Sequence, residues 1–276
     1  MTDLTLKDIL IKSSDYLKKK KVENSRLETE LIISHFLQIN RMDIYLQFER
    51  VLTDNEASKL RNAITERGKR KPLQYIIGQV EFLDIVLKID ENVLIPRPET
   101  EFMTDLILKS EPKCHSILDL CTGSGAIAIA IKKRWQESKL TATDISQNAL
   151  DIAKQNATFN HVEIDFVLSD IFEKINNRFD LIISNPPYIS QDDYQKLEPE
   201  LFFEPKNSLV ADENGGFFYK TIIQQAKNYL NPQGKIYLEI GSEQAELITK
   251  LVGENSYSDV TIIKDLAGFD RIAIIK

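Results

Sequence analysis

Four consecutive residues, Asn185-Pro186-Pro187-Tyr188, follow directly on Phe179-Asp180-Leu181-Ile182-Ile183-Ser184, an apolar run with the length of a buried strand. In open α/β sheets ligands bind at the carboxyl ends of strands, where this tetrad falls. Two prolines end a strand and fix an extended exit. With an amide before them and a ring after them, they also make a small rigid platform. An amide or aromatic amino nitrogen is a poor nucleophile, because its lone pair is delocalised into a π system. The Asn185 side-chain oxygen can accept one of its N–H groups and the Pro186 carbonyl the other, since a proline peptide keeps its acceptor. Tyr188 can stack on the flat group and hold its face toward an electrophile, an orientation effect that speeds displacement. The tetrad thus points to transfer of a methyl group to a planar nitrogen. Asn185, Pro186 and Tyr188 are the expected catalytic residues, and all four are expected to hold the acceptor.

A second element can hold a donor. Ile117-Leu118-Asp119-Leu120-Cys121-Thr122-Gly123-Ser124-Gly125 runs out of a strand into an apolar helix, and its glycines let the backbone approach a ligand closely. Asp144 ends the next strand, where a carboxylate can accept from both ribose hydroxyls. Asp170 follows the third strand and can meet an adenine amino group, with Ile171 packed on the ring. The expected cofactor contacts are Asp119, Cys121, Thr122, Gly123, Ser124, Gly125, Asp144, Asp170, Ile171 and Asn185. Asp119 can equally be a helix cap. Residues 123–128 also satisfy the dinucleotide pattern G-x-G-x-x-A, so a nicotinamide-dependent dehydrogenase competes with a methyl donor at this turn. That reading leaves the tetrad without a role. An inactive binding module is a further alternative.

Composition narrows the classes. The 276 residues are 42% apolar and 28% charged, a globular profile, and the net charge of -7 argues against a general nucleic-acid surface. His35, His115 and His161 are scattered, and Cys114 and Cys121 are seven apart, so neither a metal site nor a disulfide framework is expected. No apolar run approaches the length of a membrane span or a signal segment. A cytoplasmic protein with reduced thiols is the expectation.

The elements that position these residues are legible by period. Leu6, Ile9, Leu10 and Leu17 recur at helical spacing, and Leu27, Leu31 and Ser34 continue it. Ser25-Arg26-Leu27-Glu28 and Thr53-Asp54-Asn55-Glu56 have the form of reciprocal caps at helix starts. The basic runs 18–21 and 69–71 suit helix carboxyl ends. Residues 1–77 therefore read as a helical bundle and 78–95 as a β-hairpin linker turning at Leu83-Asp84. Residues 96–276 alternate short apolar runs (116–120, 140–143, 165–168, 181–184 and 236–240) with helix-length segments, which gives a parallel sheet with helices on both faces. Two closing strands, 260–264 and 271–275, make the edge partly antiparallel.

With these residues in view, the chain closely resembles the HemK family of glutamine methyltransferases. The resemblance rests on residues 72–78, on Val93-Leu94-Ile95-Pro96-Arg97-Pro98-Glu99-Thr100-Glu101, and on the glycine turn. It extends to Asp144-Ile145-Ser146, Ser184-Asn185-Pro186-Pro187-Tyr188-Ile189, Glu204-Pro205 and Gly268-Phe269-Asp270-Arg271. It implies an α/β fold: a class I, Rossmann-like S-adenosylmethionine methyltransferase sheet behind an α-helical N-terminal domain that engages the substrate protein. The implied cofactor is S-adenosyl-L-methionine, held by 121–125 and Asp144. The implied partners are peptide chain release factors, whose Gly-Gly-Gln glutamine would be held by 185–188. A monomer is expected. Cys121 stands where release factor enzymes commonly have glycine and looks like the sister enzymes of a ribosomal protein glutamine. Residues 211–216 depart from the family's usual glycine-rich segment. The ending 265–271 looks like the release factor group. Adenine amino methyltransferases share the tetrad's chemistry, but the acidic chain has no basic recognition domain.

Overall fold

A computed structural model of the chain describes residues 4–276. It divides into two compact units, Met1–Gly78 with Glu198–Phe203, and Gln79–Leu197 with Glu204–Lys276. Read from sequence alone, the short segment Glu198–Phe203 goes with the sheet; it belongs instead with the helices.

The helical unit contains α1 (Leu6–Lys19), α2 (Ser25–Leu37), α3 (Arg41–Leu46), α4 (Asp54–Gly68) and α5 (Leu73–Ile77). Leu6, Ile9, Leu10 and Leu17 are buried with Ile32, Ile33, Ile44, Leu60 and Ile64, so α1 faces the core as its spacing predicts. The rotation of α2 differs from the expectation. Leu27 is 40% exposed, and Thr29, Ile32 and Ile33 face inward. Charge explains the turn: Glu28 pairs with the buried Arg67 of α4, and the buried Glu30 accepts from Arg41 at 2.7 Å.

The same pairing overturns one cap. At Thr53 the reciprocal cap forms, with Thr53 N donating to Glu56 Oε2 at 2.9 Å and Glu56 N to Thr53 Oγ1 at 3.3 Å. At α2 the cap position is Asn24, Ser25 is already helical, and no side-chain cap bond forms. Glu28 is engaged by Arg67 and does not reach back. Arg67 and Arg70 also hold Glu200, with Arg70 Nε and Nη2 each 2.6 Å from its carboxylate, which ties Glu198–Phe203 into this unit.

The sheet unit opens with the antiparallel hairpin of β1 (Gln79–Phe82) and β2 (Ile85–Lys88), turning at Leu83 and Asp84. Then come α6 (Pro98–Ser110), β3 (Ser116–Leu120), α7 (Ala126–Arg134), β4 (Lys139–Asp144), α8 (Gln147–Phe159), β5 (Asp165–Leu168) and β6 (Phe179–Ser184). The short α9 (Gln191–Tyr194), two 3-10 turns (Pro199–Phe203 and Lys206–Ser208), α10 (Phe217–Ala226), β7 (Leu230–Glu239), α11 (Ala245–Glu254), β8 (Val260–Lys264) and β9 (Asp270–Ile275) complete the chain. The first of those turns lies with the helical unit.

The sheet order is β5-β4-β3-β6-β7-β9-β8. Strands β5 to β7 are parallel, and β9 runs antiparallel to both β7 and β8. Alternate residues feed two cores. Leu118, Leu120, Ile182, Ile236 and Leu238 pack with Tyr219, Ile222 and Ile248. Ile117, Leu181, Ile183 and Tyr237 pack with Met103, Ile107, Ile127 and Ile131. A strand covered on both faces needs a continuous apolar run, which is why these strands read so clearly. The order reverses between β3 and β6, and at that switch point their carboxyl ends deliver the glycine turn and the tetrad side by side.

Thr53→Ala should destabilise the protein by about 1 kcal/mol in denaturant unfolding, whereas Ser25→Ala should change it by under about 0.3 kcal/mol. Equal losses would restore the cap at Ser25.

Candidate active site

At the carboxyl ends of β3 to β6 lies a cleft whose walls enclose about 600 Å³, part of it open to solvent. Cys121, Gly123, Asp144, Asp170, Ile171, Asn185 and Pro187 line it, so seven of the residues named from sequence converge. Asp119, Thr122, Ser124, Gly125, Pro186 and Tyr188 are not in its wall. Leu94, Thr143, Ile145, Ser169, Asn207, Ser208 and Phe218 complete the lining. Of these, Thr143 and Ser169 follow from strand ends, while Asn207 and Ser208 carry no motif.

The glycine turn is held by its neighbours. Gly123 takes φ +54°, and its N–H donates to Asp144 Oδ2 at 2.9 Å. Ser146 N donates to the other oxygen at 2.9 Å, so the carboxylate is oriented from both sides. Gly125 takes φ +82°, a left-handed backbone that favours glycine, and a Cβ there would lie a tight 3.2 Å from that of Ala153, where the turn meets α8. Asn156 of α8, fully buried, donates to Ser124 O and Lys88 O and fastens turn and hairpin together. Asp119 lies outside the cleft wall, and the Ala128 N–H in the first turn of α7 favours its charged form, as a cap at that helix start does. The carboxylate accepts from Thr122 Oγ1 at 2.6 Å, and its Oδ1 has no partner. Cys121 at φ +58° and Ile171 at φ +45° adopt left-handed backbone that costs a side-chain-bearing residue roughly 1–3 kcal/mol. Both are in the wall.

The tetrad is built from β6 outward. Ser184 Oγ donates to Leu120 O at 2.8 Å and locks β6 to β3. Asn185 Nδ2 donates to Thr100 Oγ1 at 2.9 Å, which leaves Oδ1 without an intramolecular donor among the described residues. Thr100 Oγ1 in turn donates to Glu239 Oε2 at 2.6 Å, and the Tyr188 hydroxyl stands 3.5 Å from Glu239 Oε1. Beyond Tyr188, the Ile189 N–H donates to Leu209 O at 2.9 Å, and Gln244 Nε2 donates to Tyr188 O at 3.1 Å. Gly215, at φ +85°, lies so close that a Cβ would sit 2.2 Å from Tyr188 O. The glycine of the divergent 211–216 segment is therefore the one that lets the tetrad pass.

The structure also shows what the 95–101 segment does. Glu204, buried, accepts from Ile95 N at 3.1 Å and pairs with Arg97 at 2.5 Å. Pro98 opens α6, Thr100 meets Asn185, and Glu101 accepts from Leu83 N at 2.8 Å in the hairpin turn. Sequence reasoning misses the roles of Thr100 and Glu239. The one signal is an acidic residue closing the apolar run Ile236-Tyr237-Leu238 at a strand's carboxyl end.

Burial dominates the electrostatics. Asp119 is pushed up to about 7 by burial, with Thr122 offsetting part of the effect. Glu239 is likewise pushed up to about 7 by burial; Thr100 opposes the shift and Glu99 adds to it. Burial also raises Asp144, and it raises Tyr188, whose phenol stays protonated. The Cys121 thiol is raised by burial and then by Asp144, which makes it a poor nucleophile. In the cleft wall, Thr143 Oγ1 is buried without a partner, and beside it Asp144 presents a carboxylate. An unpaired hydroxyl, an oriented carboxylate and close-approach backbone fit the hydroxylated, nitrogen-rich surface of a nucleoside.

Comparison with known proteins agrees with this geometry. Residues 98–270 match the family model of the methyltransferase small domain, and residues 8–78 match that of the PrmC N-terminal domain. The release factor glutamine methyltransferase of Fusobacterium nucleatum is 40% identical over 276 residues, covering 98% of this chain and 78% of that one. The chain belongs to the release factor glutamine methyltransferase family. The family's Geobacter sulfurreducens member is 35% identical over 270 residues, 97% of this chain and 95% of its own. A methyltransferase from Pyrococcus furiosus has the same fold, with a TM-score of 0.54 at 19% identity, over 81% of this chain and 98% of that one. The resemblance to the HemK family is thereby shown, and the dehydrogenase alternative falls.

A carboxyl raised from its ordinary value binds more protons in the folded than in the unfolded state between about pH 4.5 and 7, so its contribution to stability declines as pH rises through that window. Glu239→Gln should accordingly gain on the wild type by on the order of 1–3 kcal/mol between pH 4.5 and 8 in denaturant unfolding. Parallel curves would show that Glu239 titrates as an exposed carboxyl does.

Proposed function

We propose that the protein transfers a methyl group from S-adenosylmethionine to the side-chain amide nitrogen of the glutamine in the Gly-Gly-Gln motif of peptide chain release factors. The observation that carries the reading is the Asn185 amide: its nitrogen is tied to Thr100 and its oxygen is left over at the edge of the cleft. That oxygen accepts one N–H of the glutamine, and the Pro186 carbonyl accepts the other. Together they draw electron density toward a nitrogen that resonance otherwise deactivates. S-adenosylmethionine, when bound, would supply an electrophilic methyl group: its S–CH3 bond would break as the N–C bond forms, the sulfonium leaving as a neutral thioether and the nitrogen giving up one N–H proton to solvent. Cys121, Gly123, Asp144, Asp170 and Ile171 are the wall residues that would hold it, with Asp144 at the ribose hydroxyls and Asp170 at the adenine amine. The remaining acceleration is positional, and the prolines supply it by fixing the backbone on which both acceptors ride.

The relatives' names support the release factor as substrate, and the helical unit matched by the PrmC N-terminal model is the surface we assign to its capture. In this reading the enzyme works as a monomer in the cytoplasm. No helix among the described residues is long and apolar enough to cross a membrane.

Incubation with release factor and S-adenosylmethionine should add one methyl mass to the Gly-Gly-Gln glutamine in peptide mass spectrometry, with ribosomal protein and adenine-containing DNA left unmodified. Asn185→Ala should lower kcat by about 10²- to 10³-fold, with the dissociation constant of S-adenosylmethionine changed less than about threefold. Methylation of ribosomal protein or DNA alone would overturn the substrate, and an unimpaired Asn185→Ala the mechanism.

A further inference from the structure

We propose that Thr100 and Glu239 form a hydrogen-bond relay that fixes which end of the Asn185 amide faces the acceptor. The proposal rests on the reading that Asn185 Oδ1 receives the substrate N–H. An asparagine side chain has two nearly isosteric faces, an oxygen that accepts and a nitrogen that donates, and the torsion between them is soft and roughly two-fold. A site that must accept a hydrogen bond works in one orientation and repels its substrate in the other. Something must break the tie.

A hydroxyl has one hydrogen. In the structure it goes from Thr100 Oγ1 to Glu239 Oε2 at 2.6 Å, which leaves only lone pairs on Oγ1 toward Asn185. An amide beside a lone pair presents its nitrogen, and Nδ2 is the atom found there, at 2.9 Å. Oδ1 is then directed to the other side. Both relay residues are nearly sealed, Thr100 at 4% exposure and Glu239 at 1%, so water does not substitute for either bond.

Glu239 is an unusual partner for a purely architectural bond. The groups around it are Glu99 and Thr100 from α6, Tyr188 beyond β6, the Tyr219 hydroxyl of α10, which donates to the Glu239 carbonyl at 3.3 Å, and Arg271 of β9. Arg271 is itself paired with Asp265 at 3.3 Å and forms no ion pair with Glu239 among the described residues. The carboxylate is thus held by hydroxyls alone, and an ionised carboxylate can only accept. It sets a direction that a neutral amide in its place would leave ambiguous. If Glu239 takes up a proton, the order inverts. The acid donates to Thr100, the Thr100 hydrogen turns to Asn185, and the amide presents its N–H groups to the acceptor's own.

The test compares Thr100→Val, which keeps shape and removes the hydroxyl, with Thr100→Ser, which keeps the hydroxyl. Two readouts are used: kcat at saturating substrates, and the side-chain amide signals of Asn185 in ¹⁵N-labelled protein. Thr100→Val should lower kcat about 10- to 100-fold, with S-adenosylmethionine affinity unchanged within about threefold, and should shift the Asn185 Nδ2 signals and speed their exchange. Thr100→Ser should restore kcat to within about threefold of wild type and return the signals to their original positions. In the wild type the same signals should move as pH falls from about 8.5 to about 5.5, a measurement that needs no variant. A Thr100→Val enzyme within about twofold of wild type, or Asn185 signals indifferent to both the substitution and pH, overturns the relay. A wild type that methylates no glutamine, with Asn185 signals that still respond, overturns instead the reading on which the relay rests.

Discussion

Glu239 ends β7 directly after the buried apolar run Ile236-Tyr237-Leu238, and its carboxylate has almost no access to water. An ion in that position is expensive unless hydrogen bonds replace its hydration, and it forms no ion pair among the described residues. The hydroxyls that replace that water come from Thr100 and, at longer range, Tyr188. The start of α6 must therefore lie against the end of β7, and the segment leading into α6 has to be pinned in turn. Arg97 and Ile95 are pinned by Glu204, and Glu101 reaches the hairpin turn. What the sequence shows as an unexplained motif is a chain of obligations that begins with one buried charge.

The cleft is preorganised at a cost. Cys121 and Ile171 hold left-handed backbone, and Gly215 presses on the carbonyl of Tyr188 at a distance that admits no side chain. Strain of this size persists only where the surroundings over-determine it. Here two apolar cores, one on each face of the sheet, clamp the strands whose ends carry these residues. A reaction that relies on alignment more than on acid or base groups benefits from such rigidity, because misplacement of an acceptor oxygen by a fraction of an ångström weakens its hold on the reacting nitrogen.

Residues whose partners are near in sequence, or whose period is imposed by a sheet, are legible without the fold. The strands covered on both faces, the cap at Thr53 and the convergence of Gly123, Asp144, Asp170 and Asn185 at strand ends all follow from local pattern and one topological rule. The misses share a cause, a partner far along the chain. Ser25 reads as a cap because its competitor for Glu28, Arg67, is 39 positions from that glutamate in the sequence. The bond from Asn185 to Thr100 spans 85 positions and that from Thr100 to Glu239 spans 139, and no spacing rule reaches across either. Gly215 reads as part of a degraded motif until the backbone of Tyr188 is found against it.

The segment between the tetrad and the later part of the cleft wall belongs in part to each unit. After Tyr188 the backbone is bonded to 209–211. Between those points it carries Glu200 into the ion-pair cluster of Arg67 and Arg70 before returning to place Asn207 and Ser208 in the cleft wall. Glu200 meets two guanidinium groups, one of them bidentate, and such charge-assisted pairs hold geometry as well as position. One continuous stretch thus has its two ends at the reacting centre and its middle fixed in the helical unit. The tetrad's own chemistry does not distinguish a glutamine amide from other flat nitrogens, so what this stretch and β6 fix together is the orientation of the acceptor and not its identity.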